Sequence, residues 1–242
     1  MAAGIAVVFG VGSRTGLGAA LARRFAREGL HVIVAGRTPE RLRAVATDIQ
    51  DAGGLAQTVT ADATHESDVV DLFDKVASGA NLELVAYNVG NNAMLPVLET
   101  GAAVFENMWR QNALGGFLVG REAVRRMLPR HRGTILFTGA TASLRARPPF
   151  TAFASAKAAL RAVAQGLARE FGPQGIHVAH VVIDGVIGGE YAQSRFPEFV
   201  RAKGEDGLLE PDAVTDAYWA LHRQQRSAWT HELDLRPFKE PF

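Results

Sequence analysis

Two kinds of apolar pattern alternate along this chain. Short runs rich in apolar and β-branched residues recur at Val7-Val8-Phe9, His31 to Ala35, Ala56 to Ala61, Leu82 to Tyr87, Thr134 to Phe137 and His177 to Ile183. Such runs suit strands buried on both faces of a parallel sheet. Between them the apolar positions follow a helical period. Leu17, Leu21 and Phe25 form one stripe, Val69, Leu72, Phe73 and Val76 a second, and Leu160, Val163, Ala164, Leu167 and Phe171 a third. Gly29, Gly53-Gly54 and Gly172-Pro173 stop helices, and Thr38-Pro39 starts one as N-cap and first helical residue. A long helical stretch is expected from about Ala102 to Met127, ended by Pro129. Another runs from Pro211 to about His222, and Trp229 to Leu235 is a candidate last strand. Asn91 to Gly101 and Thr138 to Pro149 read as loops, and 184–210 as an irregular, glycine-containing substrate region. Strict strand–helix alternation predicts one α/β domain over residues 1–242, a doubly wound parallel sheet with right-handed crossovers.

The first strand runs into Gly10-Val11-Gly12-Ser13-Arg14-Thr15-Gly16-Leu17-Gly18 and then into a helix. A helix N-terminus presents unpaired N–H groups and a positive dipole end, which suits a pyrophosphate, and glycine lets backbone approach a ligand. The spacing of Gly12, Gly16 and Gly18 is G-x-x-x-G-x-G, not the commoner G-x-G-x-x-G. Its place between strand and amphipathic helix favours a phosphate cradle over a plain connecting turn.

Composition narrows the classes. At 242 residues and 48% hydrophobic, the chain has material for a substantial core. A net charge of +1 gives no long-range attraction to nucleic acid or an anionic membrane. The absence of cysteine excludes disulfides, thiolate metal sites and cysteine nucleophiles. No His/Asp/Glu spacing suggests a metal, and no apolar run reaches membrane-spanning length. A cytoplasmic protein acting on a small molecule is the expectation.

At the carboxyl ends of the strands the residues form a set. Gly12, Gly16 and Gly18 are followed by Asp62-Ala63 after the third strand and Asn88-Val89-Gly90 after the fourth. Asn112 lies in the long helix, and Lys157 on the helix after the fifth strand. In this set and its order the chain resembles the short-chain dehydrogenase/reductase family, with its Rossmann-type fold. The resemblance implies an oxidoreductase interconverting a carbonyl and an alcohol. Ser13, Arg14 and Leu17 would belong to the cofactor loop, Asp62 and Ala63 to the adenine site, and Asn88, Val89 and Gly90 to the motif after strand four. Asn112 and Lys157 would be catalytic, and Gly185 and Ile187 would adjoin the nicotinamide. It also implies a homodimer or homotetramer pairing through the long helix and the lysine helix.

Charge decides the cofactor expectation. An NAD site places a carboxylate at the end of strand two, where this chain has Gly36 and Arg37. Arg37, with Arg14 in the glycine loop, suits a 2′-phosphate, so NADP(H) is preferred over NAD. The catalytic centre departs from the family. Phe153 stands four residues before Lys157, where the resemblance expects a tyrosine, and Ala140 stands at its serine position, next to Thr141 and near Ser143. Val11 replaces a usual threonine, Asp184-Gly185 a usual Pro-Gly, and Gly188-Gly189 a usual threonine. Three readings stay open: hydride transfer with a proton handled by Thr141, Ser143, Tyr191 or a lysine-bound water; a cofactor-binding regulatory protein; and a non-redox enzyme. Leu95, Val97, Leu98, Ile187, Phe196 and Phe199 are expected to shape an apolar substrate site.

Overall fold

The computed structural model describes residues 3–77, 81–90 and 92–241. Asn91 of the expected loop, and the ends of the 1–242 domain at Met1, Ala2 and Phe242, lie outside the described residues. The strands are β1 (Ile5–Phe9), β2 (His31–Gly36), β3 (Leu55–Thr60), β4 (Leu82–Tyr87), β5 (Gly133–Thr138), β6 (Ile176–Ile183) and β7 (Glu232–Leu235). They pair in parallel in the order β3-β2-β1-β4-β5-β6-β7. The order reverses between β1 and β4, and in open α/β sheets the ligand crevice lies at that switch point.

The helices are α1 (Leu17–Arg27), α2 (Pro39–Asp51), α3 (Glu66–Ala77), α4 (Ala102–Trp109), α5 (Gly115–Met127), α6 (Thr151–Phe171), α7 (Glu190–Arg195), α8 (Pro197–Lys203) and α9 (Pro211–Arg223). They cover both faces of the sheet. Leu17, Leu21 and Phe25 of α1 pack with Leu42 and Val45 of α2 and Tyr218 of α9 on one side. Leu72 and Phe73 of α3, Leu118 and Val119 of α5, and Leu160 and Ala164 of α6 pack on the other. Among the described residues no helix is long and apolar enough to cross a membrane.

Four expectations change. The single helix expected from Ala102 to Met127 is interrupted by a π turn at Arg110–Leu114. The widened turn disturbs the i to i+4 pairing of backbone carbonyls, and side chains take them up. Asn112 Nδ2 donates to the Met108 carbonyl at 2.9 Å, and the buried Tyr87 hydroxyl donates to the Gln111 carbonyl at 2.5 Å. The region 184–210 is not irregular throughout but holds α7 and α8. Its two ends are tied together by a bridge of Ile187 to Leu209, with Gly188 N–H donating to Leu209 O and Leu209 N–H to Val186 O. Thr38 precedes Pro39 at the N-cap of α2 as expected, but its side chain caps nothing. The last strand begins at Glu232, three residues after the expected Trp229.

Candidate active site

The crevice opens where β1 and β4 end. Gly10 follows β1 with φ +88°, and a Cβ there would lie 2.5 Å from the Asn88 carbonyl oxygen. Glycine is required at that position by conformation and by space. Asn88 spans the same gap, its Nδ2 donating to the Gly10 carbonyl at 3.4 Å. A Cβ on Gly18 would stand 2.5 Å from Gly10 O, so α1 lies tight against the loop. Gly12 faces open space, with nothing within 4 Å of where its Cβ would be. Gly16 caps α1 without a side-chain hydrogen bond, which leaves the first-turn N–H groups for a ligand. The cradle therefore fits a pyrophosphate.

A carboxylate already uses part of it. Ser13 Oγ donates to Glu190 Oε2 at 2.6 Å, and Glu190 N–H donates to Thr15 Oγ1 at 2.9 Å. The start of α7 thus docks on the glycine loop. Nothing in the sequence motif singled out Glu190, because it reaches the loop from 177 residues away.

The expected purine side is assembled differently from the expectation at one residue. Arg14 is turned onto α2, where Nε and Nη2 grip the Asp48 carboxylate, and this pairing raises the Arg14 pKa further. Arg37, at the end of β2, is 64% exposed and stands 4.0 Å from Asp62. Asp62 Oδ1 accepts from both the N–H and the hydroxyl of Thr64, while buried Ala63 follows it after β3. Desolvation works to raise the Asp62 carboxyl, but the Thr64 hydrogen bonds and the charges of Arg37 and His65 outweigh it and leave it lowered.

At the other end of the crevice, Gly90 marks a point of convergence beyond Val89. A Cβ on Gly90 would lie 3.1 Å from both Asn112 Oδ1 and Lys157 Nζ. Asn112 is fully buried and its Oδ1 has no hydrogen-bond partner among the described residues. The π turn orients it, since its Nδ2 is held by Met108 O. Lys157 is buried, its Nζ donates to Thr138 O at 2.8 Å, and burial lowers its ammonium to about 8. The Phe153 ring lies one turn earlier on α6, 5.9 Å from Nζ.

Lys157, Phe153, Thr141 and Tyr191 line one cleft of about 790 Å³ together with Ser13, Gly16, Leu17, Asn88, Gly90, Gly185 and Ile187. Asn112, Gly12, Gly18, Arg14, Arg37, Asp62, Ala63 and Val89 lie outside that lining. Of the residues expected to build an apolar substrate wall, Ile187 and Phe196 do so, joined by Phe150. Leu95, Val97, Leu98 and Phe199 do not; Leu98 is fully exposed, because it sits on a surface turn at Val97–Glu99.

Two of the three candidate hydroxyls have other partners. Thr141 Oγ1 donates to Asp184 Oδ1, and Ser143 is buried with its Oγ accepting from Ala140 N–H at 3.1 Å. Tyr191 is 62% exposed on α7. Asp184 is itself buried, with Arg236 at 3.0 Å and Arg145 at 3.7 Å. Beneath the site His180 is fully buried, with Nδ1 3.1 Å from Glu232 Oε2, and Glu232 takes a bidentate pair from Arg161. Desolvation holds His180 near neutral, lowering its pKa to about 4. Among the described residues no group of three or more His, Cys, Asp or Glu is placed to hold a metal ion.

Comparison with known proteins agrees with this architecture. A family model described as short chain dehydrogenase matches residues 5–197. The uncharacterized oxidoreductase YuxG of Bacillus subtilis is 34% identical over 213 residues, covering 86% of this chain and 30% of that protein. Gluconate 5-dehydrogenase of Gluconobacter oxydans is 27% identical over 168 residues, 69% of this chain and 66% of that protein. The chain thus spans less than two thirds of the length of these relatives. Among solved structures, a short-chain dehydrogenase from Rhodopseudomonas palustris is 41% identical with a TM-score of 0.82, covering 98% of this chain and 99% of that one. Actinorhodin polyketide ketoreductase with NADPH, at 20% identity and a TM-score of 0.88 over 99% of this chain and 98% of that one, shares the fold.

Proposed function

The chain belongs to the short-chain dehydrogenase family, and we propose that it is an NADP(H)-dependent oxidoreductase that interconverts a carbonyl and an alcohol on a small, largely apolar substrate. The observation that carries this reading is the convergence of Asn112 Oδ1 and Lys157 Nζ on Gly90, which lines the same cleft as the glycine loop. A phosphate cradle alone argues for binding. A buried amine and an orphaned buried amide oxygen beside it argue for chemistry, because both are costly to bury without a task.

In this reading the first turn of α1 with Ser13 holds the pyrophosphate, and Arg37 takes the 2′-phosphate. Arg14 joins it only by leaving Asp48. Asp62 and Ala63 border the adenine, Asn88, Val89 and Gly90 lie beneath the cofactor, and Gly185 and Ile187 border the nicotinamide. When bound, the nicotinamide exchanges a hydride with the substrate carbon.

The chain's own task is then the proton. Phe153 holds the position of the family's tyrosine and has no ionisable group. The Thr141 hydroxyl is bonded to Asp184, and Ser143 is buried away from the cleft wall. Lys157 Nζ, near pKa 8, titrates in the useful range and lines the cleft. It gives a proton to the carbonyl oxygen during reduction and takes one back from the alcohol during oxidation, directly or through one water. Asn112, held by the π turn, keeps an unpartnered Oδ1 beside Lys157 that would accept from any such water.

A homo-oligomer formed through the long helix is part of this reading. Phe105, Trp109 and Phe117 on α4 and α5 are 41%, 41% and 42% exposed, an apolar stripe suited to a second copy.

Fluorescence titration with NADPH and NADH tests the cofactor, and NADPH oxidation over a carbonyl panel tests turnover. Turnover by the parent that Lys157→Met abolishes supports the assignment. Phe153 favours one rival, a cofactor-binding protein without turnover; activity appearing only in Phe153→Tyr would establish that rival.

A further inference from the structure

We propose that the substrate wall of the cleft carries an oxyanion site, built by Arg145 and Arg147, that takes a carboxylate or phosphate group on the substrate. The inference rests on the redox reading above and names the substrate class within it: an apolar body ending in an acidic group.

Both arginines come from the loop between β5 and α6, and both line the cleft. Among the described residues their guanidinium N–H donors make no hydrogen bond. Among the described residues the carboxylate paired with Arg145 is Asp184, at 3.7 Å. Asp184 already has Arg236 at 3.0 Å and the Thr141 hydroxyl on its other oxygen. Arg236 is shared with Asp234 at 2.7 Å, so Arg145 helps to balance Asp184, but at 3.7 Å it makes no hydrogen bond there and its N–H donors stay available. Arg145 Nε is buried with no acceptor among the described residues, while 37% of the side chain is exposed. Among the described residues the Arg147 side chain has no partner, and it is exposed at the mouth.

Opposing charge in the cleft is small. Glu190 is bonded to Ser13 on the cofactor side, and Asp184 is only 7% exposed. Phe150, Phe153, Ile187 and Phe196 supply the apolar part of the wall. Guanidinium forks beside aromatic and aliphatic walls suit a carboxylate or phosphate whose remainder is apolar, since each oxyanion accepts paired N–H bonds.

The test compares matched substrates on the NADPH-loaded chain: aryl and alkyl 2-oxo and 3-oxo acids against their methyl esters, and hydroxyketone phosphates against the free hydroxyketones. Turnover is followed as NADPH oxidation, and binding to the NADP⁺-loaded chain by calorimetry. The anion of at least one pair is expected to be preferred about ten- to hundred-fold in kcat/KM, mainly through KM. In Arg145→Gln/Arg147→Gln that ratio falls towards one. Arg147→Gln alone, which disturbs no internal contact, lowers it several-fold, and NADPH affinity reports that the fold is intact. Equal handling of anion and neutral partner by the parent, in turnover and in binding, overturns the proposal, as does a preference that survives the double substitution. Anion-selective binding without turnover would leave the site standing and fail the redox reading instead.

Discussion

The two ends of the cleft are built from the same sheet edge by different means. At the β1–β4 end the ligand-facing groups are mostly backbone: a glycine turn, the bare first turn of α1 and the carbonyl gap spanned by Asn88. At the β5–β6 end they are side chains, Lys157, Phe153, Thr141 and Arg145, whose chemistry changes with every substitution. A backbone cradle requires only small residues at the right spacing and keeps its function while its neighbours vary. A side-chain centre is redefined by one exchange, as Phe153 shows. The first end therefore argues for the family, and the second for what this member does with its cofactor.

The largest effect that sharpens this contrast is expected at Lys157. Lys157→Met should lower kcat by about 10²- to 10⁴-fold, the usual worth of a positioned acid or base, while NADPH binding persists. In the parent, carbonyl reduction needs the protonated amine, so kcat should fall as pH rises through about 8. A flat profile from pH 6.5 to 9.5 would remove Lys157 as the proton source.

The backbone end breaks through packing instead. Gly10→Ala forces a Cβ against Asn88 O in a left-handed conformation and should destabilise the fold by about 2–3 kcal/mol in denaturant titration. At Arg37, change to Ala should raise the Kd for NADPH by about tenfold or more and leave NADH nearly unaffected, which fluorescence titration reads. Loss for both cofactors alike would break the 2′-phosphate argument.

Acid stability probes the layer under the catalytic end. His180 and His222 have folded pKa values of about 4 because burial disfavours their charged forms, against an ordinary 6.5. The unfolded chain therefore binds more protons between those values. Stability should be complete above about pH 6.5 and fall on acidification towards pH 4, by up to about 1.4 kcal/mol per pH unit for each histidine. His222→Gln should shallow that slope in denaturant titrations run across the window. The smallest effect is expected at Glu190. Removing its charge with Glu190→Gln should tighten NADPH a few-fold, because the pyrophosphate no longer competes with a carboxylate for Ser13.

Strand and helix order, the doubly wound class and the glycine loop were legible because each rests on local periodicity and on glycine's particular freedom. Gly90, Asn112 and Lys157 were legible through a resemblance of spacing, and the structure brings them together. The π turn was not, since Arg110 to Leu114 have an ordinary helical composition and the widening is sustained by Tyr87 from β4. Nor was the fate of Arg14, which looks equally suited to a phosphate or to Asp48 until α2 is packed beside the loop.

By itself the sequence determined that a parallel sheet forms, where its turns fall, and that a nucleotide-sized cradle opens after β1. These follow from period, chain reversal and the absence of side chains at Gly10, Gly12 and Gly18. Only the tertiary structure decided which charged groups face the cleft. Asp184 was withdrawn by Arg236 and Arg14 by Asp48, whereas Lys157, Arg145 and Arg147 reach the wall. Side-chain pairing across 34 to 177 residues depends on which elements pack together, and no local pattern encodes it.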